Sequence, residues 1–382
     1  MKYILCLLLL VPTSFIHASW DLNDVSYLMP MPSVIGDDNL LGTAAPGKGG
    51  SLIPDRIVKA LPILAMGLSR EEAAETLRVV GVRIDPCFPL PTPQSCQRQI
   101  RFVWQPLEID RRTQEVRTID AALHTFYVLT DAEFSLLLKD IQAWKTKFEV
   151  KTQGLPLNIH PAWAKQGDKS PSLTAFHEII KKYAGSGSMT RLTIMVLRGN
   201  ADMWMFAGFD VKGDTVTNQF VPRLDRKAQT FINMAVPRDH FSGGGIQPAP
   251  SGEDTLNKLA FESIQMDEPN TEETIRKEVR AAFRIENPKV FNPENMDCVS
   301  CHVAQPVKHW VLNKRPGLEV EKLWSADIYR NARYDMTNVT ARISDTHRIR
   351  AFGYFDDGPA ISQRVINESA EVADALNQYL LF

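Results

Sequence analysis

The chain has 382 residues, 44% of them apolar, and carries 43 Lys and Arg against 45 Asp and Glu, a formal net charge of −2. A balance so close to neutrality excludes the basic footprint of a nucleic-acid or anionic-membrane binder. Length and apolar content together imply two domains, or one with an elaborated end.

Residues 1–19 read as a secretory signal peptide: Lys2, an apolar run from Ile4 to Val11, Pro12, and a small-residue site at Ala18-Ser19. A retained N-terminal anchor is the alternative. Beyond the leader no apolar run reaches the roughly eighteen residues of a membrane span, so none is expected. Cys6 falls inside the leader, which leaves Cys87, Cys96, Cys298 and Cys301. Cys87 and Cys96 bracket Phe-Pro-Leu-Pro-Thr-Pro-Gln-Ser, a short excursion that an exported chain can cross-link. A disulfide is expected there, with two free thiols as the alternative.

Residues 20–54 are rich in Pro, Gly, Asp and Asn and read as an irregular lead-in. Ser69-Arg-Glu-Glu72 is a capping box, and the helix it opens is predicted to reach about Val79. Arg98–Ile109 and Ala121–Leu129, rich in β-branched and aromatic residues, read as strands. Thr130-Asp-Ala-Glu133 opens a second capped helix, which buries Phe134, Leu137, Leu138, Ile141 and Trp144 at intervals of three and four. Another helix is predicted over about 173–183. Arg191–Leu197 and Asp202–Phe209 read as a hairpin, followed by a third strand ending near Val221.

Neighbouring strands with helices beside them make residues 20–250 an α+β domain with an antiparallel sheet. No dinucleotide, P-loop, zinc-protease or nucleophile-elbow motif occurs in it. His124, inside an apolar strand, reads as a hydrogen-bonded core or edge histidine, because metal ligands come in clusters. The Gly- and Pro-rich stretch Phe241–Gly252 is the linker candidate. Helices are then expected over 253–264 and 270–285, with Pro288 and Pro293 breaking the second before the next motif.

That motif is Cys298-Val-Ser-Cys301-His302, the Cys-x-x-Cys-His pattern of covalent haem attachment. Two thiols add across the porphyrin vinyl groups, and the adjacent imidazole becomes the proximal iron ligand. A zinc or dithiol reading of Cys298 and Cys301 is the alternative, but zinc wants a second ligand pair at similar spacing, and none exists.

Around this motif, from about Thr271 to Phe382, the chain resembles single-haem c-type cytochromes of the helical class I type. The resemblance implies one covalent haem c held by Cys298, Cys301 and His302, in a mostly α-helical domain over residues 251–382. It also implies a helix before the motif that packs across a final helix, here expected over Ile361–Tyr379, and a distal ligand from the segment between. Met336 is the first candidate for that ligand and His347 the second, with an open site as the third outcome. Among the arginines near the expected pocket, Arg330, Arg333, Arg342, Arg348 and Arg350, one is expected to pair with a haem propionate.

The function implied is one-electron transfer to an exported redox partner, in the periplasm or facing the outside. A haem-dependent oxidoreductase such as a peroxidase, or a haem-based sensor, are the alternatives that the large front domain keeps open.

Overall fold

The computed structural model describes residues 19–65, 67–88, 96–198, 202–213, 215–261 and 271–379. The leader with Cys6, the tip 89–95 of the Pro-rich excursion and Leu380 of the final helix lie outside the described residues. In chain order the elements are α1 (Leu22–Val25), β1 (Ser26–Leu28), β2 (Pro46–Gly47), β3 (Gly50–Ser51), α2 (Asp55–Ala60), α3 (Arg70–Thr76), β4 (Leu77–Phe88), β5 (Gln97–Ile109), β6 (Val116–Thr118) and β7 (Ala122–Leu129). There follow α4 (Asp131–Lys147), α5 (Pro171–Lys181), β8 (Met189–Arg198), β9 (Met203–Lys212), β10 (Thr215–Asn218), β11 (Ala228–Ile232) and β12 (Gly245–Gln247). The last elements are α6 (Asn257–Phe261), α7 (Thr271–Glu286), α8 (Cys298–Lys314), α9 (Val320–Trp324), β13 (Phe352–Phe355), β14 (Gly358–Ile361) and α10 (Gln363–Tyr379).

The fold is α+β. Ten strands form one antiparallel sheet in the order β1-β4-β5-β7-β8-β9-β11-β12, with β6 beside β5 and β10 beside β9. Both capping boxes form: the Ser69 and Thr130 hydroxyls accept from the N–H groups of Glu72 and Glu133, whose carboxylates accept in return from the cap backbone.

Helix α3 stops at Thr76 instead of reaching Val79, because the branched Val79, Val80 and Val82 enter β4, where Val79 and Val82 pair with Trp104 and Phe102 of β5. Cys87, at the end of β4, and Cys96, just before β5, are joined by a disulfide. Residues 245–247, inside the stretch read as a linker, form β12 and extend the sheet beyond β11. The C-terminal third contributes α7, α8 and α10, and also a hairpin, β13 with β14, that its sequence did not announce.

Alternation along β7 divides the sheet's two faces. Leu123 and Tyr127 join Phe102, Trp104 and Leu192 in a core beneath α4 and α5, where Phe134, Leu137, Ile141, Trp144, Phe176 and Ile180 pack on them. Ala122 points the other way, with Met195, Trp204, Phe206 and Phe231, toward Val279 and Ala282 of α7 and Val299, Val303 and Val307 of α8. The helix that begins with the Cys-x-x-Cys-His motif thus lies on the second face of the sheet.

Candidate functional site

Helix α8 is fixed at its start by two buried residues. The Asp297 side chain caps it, accepting from the Ser300 N–H at 3.0 Å. Gln229 of β11 grips the same turn from the sheet, donating to Asp297 at 2.9 Å and accepting from the Val299 N–H at 3.0 Å. Two otherwise orphaned N–H groups of the first turn are thereby satisfied. The helix is 17 residues long, where the resemblance implied a short one, and it runs through Pro306. Proline there removes the N–H that would bond the carbonyl of His302.

Cys298, Cys301 and His302 all line one cavity between α8 and the sheet, which opens in part to solvent. Both cysteines are free thiols. Burial pushes Cys298 up to about 12 and Cys301 to about 11, so both are neutral, unlike a nucleophilic thiolate or a ready zinc ligand. His302 lies against the Phe206 ring, centroid to centroid 4.8 Å. Its Nδ1 meets the carbonyl oxygen of Ile349 at 2.8 Å; a carbonyl only accepts, so Nδ1 carries the proton. Burial lowers its pKa to about 4. The result is a neutral imidazole, oriented by a backbone carbonyl and left with its Nε2 lone pair, which is the way metal-ligating histidines are held.

The sheet supplies the opposite wall. Arg101 and Val103 of β5, His124 and Phe126 of β7, Thr193 and Met195 of β8, and Phe206 of β9 all face the cavity. One end is charged. Arg83 and Arg364 both bind Glu368, at 2.8 and 2.6 Å, and Arg101 binds Asp85 at 3.3 Å. Burial acts to raise the Glu368 pKa, but the guanidinium groups of Arg364, Arg83 and Arg101 hold it well below the usual carboxylate range. Among the described residues the buried Nε of Arg83 has no hydrogen-bond partner.

The residues singled out in the sequence are therefore partly brought together. Cys298, Cys301 and His302 share the cavity; Met336 and His347 are not among its lining residues. Met336 packs beside the cluster of Phe352, Tyr354 and Val365. His347 is buried with both ring nitrogens engaged, Nδ1 by the Asp202 carboxylate and Nε2 by the Ala235 carbonyl at 3.0 Å. None of Arg330, Arg333, Arg342, Arg348 and Arg350 lines the cavity. Arg330 pairs with Glu321, Arg333 with Asp374 and Arg350 with Asp120, while Arg348 donates to the carbonyls of Thr340 and Pro359.

Sequence reasoning read His124 as a core or edge histidine rather than a ligand, and it did not single out Arg83, Arg101 or Arg364. One signal was available: Arg101, Val103, Ala122, His124 and Phe126 sit at alternate positions of strands otherwise apolar on both faces, so polar members of that set mark a face that is not a plain core. Among the described residues there is no group of three or more His, Cys, Asp or Glu side chains placed to hold a bare metal ion. The chain matches no protein-family model, no curated protein and no solved structure.

Proposed function

We propose that the chain carries one haem c, bound through thioethers to Cys298 and Cys301 with His302 as proximal ligand, and that it transfers single electrons to an exported partner. The observation that carries this reading is the neutral His302 imidazole, its Nδ1 proton committed to Ile349 and its lone pair left over, in one cavity with two neutral thiols at the spacing of the attachment motif. The donor set fits the group. Val103, Phe126, Met195 and Phe206 would supply an apolar wall for the porphyrin, and Arg83, Arg101 and Arg364 at one end would suit its carboxylates.

Bound there, haem supplies a reversible one-electron couple, and the protein's part is to fix its axial ligands, shield it and neutralise its carboxylates. Packing of α7 and α10 around α8 supports a cytochrome-like arrangement of the C-terminal helices. The Cys87–Cys96 disulfide supports an oxidising compartment, as does the leader-like start of the sequence. No described helix is long and apolar enough to cross a membrane.

The test is a mass. Made with its own leader in a host that matures c-type cytochromes, the chain should gain the mass of one haem, and the paired variant Cys298→Ser with Cys301→Ser should lose it. A colourless wild-type protein at bare polypeptide mass sinks the proposal.

A further inference from the structure

Two features of the cavity are left without a use by covalent attachment and the proximal ligand: the charged end, which suits the haem carboxylates, and His124. His124 sits at the centre of β7, paired to Val103 of β5 on one side and Thr193 of β8 on the other. No side chain or carbonyl among the described residues hydrogen-bonds its ring, which is half-buried and lines the cavity, whereas its strand neighbours Leu123 and Thr125 are buried. Burial, then the guanidinium of Arg101 and the imidazole of His302, lower its pKa well below the ordinary histidine value. The ring lines the cavity, so a group bound there meets an imidazole that no protein side chain already engages.

Register fixes where that ring stands relative to His302. The His302 ring lies against Phe206, Phe206 pairs with Met195, and Met195 pairs with Ala122, two residues before His124 on the same face. Two strand spacings across and two residues along put the α-carbons of Phe206 and His124 about 12 Å apart. Both rings line the same cavity, His302 over Phe206 and His124 offset from Phe206 along the sheet. Other soft donors line the cavity, but they stand elsewhere. Met195 is the strand neighbour of Phe206, at the foot of the proximal imidazole, and the Met296 sulfur accepts from Arg223 at 3.3 Å.

We propose that His124 is the second axial ligand of the iron, so that the haem is held between an imidazole from α8 and an imidazole from the central strand of the sheet. This rests on the haem reading above. It gives the front domain a job in the redox site: the sheet closes the sixth position, which excludes small molecules from the iron and sets a lower reduction potential than a thioether would.

The experiment uses the full-length, haem-loaded protein and reads ligation by electron paramagnetic resonance and by carbon monoxide binding. The wild type should be low-spin in the ferric state and slow to bind carbon monoxide when reduced. His124→Ala should turn high-spin and bind carbon monoxide at once, and added imidazole should restore the low-spin signal. His124→Met, which keeps a ligating side chain of similar reach should the alanine variant fold poorly, should remain low-spin with a raised potential. Met336→Leu, outside the cavity, should leave the spectrum unchanged. A haem-loaded His124→Ala protein with the wild-type spectrum, or a high-spin wild type, overturns the ligand assignment alone. A protein without covalent haem overturns the attachment reading, and the ligand with it.

Discussion

The two faces of the sheet are built from the same strands and do opposite things. Beneath α4 and α5 the face is closed: Phe102, Trp104, Tyr127, Phe134, Trp163 and Phe176 are all fully buried, and their rings pack at centroid distances such as 4.9 Å for Phe102 with Tyr127. Beneath α8 and α10 the same strands line a cavity, with His124 in place of a large apolar side chain and arginines at one end. Side chains around a void lose dispersion contacts on one side, so a cavity face is stabilised less per residue than a packed one. Strands that alternate between the two tie the site to a rigid support, which is what a group needing fixed axial geometry requires.

The largest expected effect tests where stability resides. Phe102→Ala on the closed face removes a buried ring from a packed aromatic cluster and should cost about 3–5 kcal/mol in urea denaturation of the haem-free protein. A loss below about 1 kcal/mol would erase the contrast between the faces.

The cover on the cavity side holds a second lever, one that depends on pH. Glu278 of α7 is buried and accepts from the N–H groups of Lys258 and Leu259, yet burial raises its pKa to about 7. A carboxyl whose folded pKa lies above its unfolded one binds more protons folded than unfolded between the two values. Its contribution is therefore fully present below about pH 4.5 and is lost as pH rises to about 7, a change on the order of 3 kcal/mol. Glu278→Gln cannot ionise, so the difference in unfolding free energy between variant and wild type should move in the variant's favour across that window. A difference that stays flat from pH 4.5 to 7.5 would show that Glu278 is already ionised in the folded protein.

How much of this was legible in the sequence follows from which signals are local. Capping boxes at Ser69 and Thr130, the 3–4 spacing of Phe134 to Trp144, and the β-branched runs of β5, β7 and β8 are local, and those elements appear where expected. The start of β4 was hidden by the helix-capping signal just before it. The edge strand β12 was hidden by glycines and prolines, which an edge tolerates. In the site, Cys298, Cys301 and His302 are contiguous and could be read at once. His124, Arg83, Arg101 and Arg364 come from three strands and the last helix, far apart in sequence, and only pairing registers bring them together. Met336 and His347, expected near the iron from their place between the motif and the final helix, do not line the cavity, and the strands that do line it could not be read from sequence order, which says nothing of which face of a distant strand a helix will cover.

The sharpest separation of the two faces uses neighbouring alanines. Ala121 belongs to the closed core and Ala122 lines the cavity, both almost wholly buried. Ala121→Leu forces three extra carbons into a packed region and should destabilise by about 1–3 kcal/mol. Ala122→Leu places the same three carbons into open space, where new contacts offset the strain, so the haem-free protein should keep its stability to within about 0.5 kcal/mol or gain a little. Its penalty should appear elsewhere, because Ala122 stands two residues from His124 on the same face and pairs with Met195 beside the His302 ring. Haem content per mole of protein, read from absorbance against mass, should fall in Ala122→Leu and stay at the wild-type value in whatever Ala121→Leu protein folds. Equal destabilisation by both, with equal haem content, would mean that the two faces are packed alike and that the cavity has no occupant to exclude.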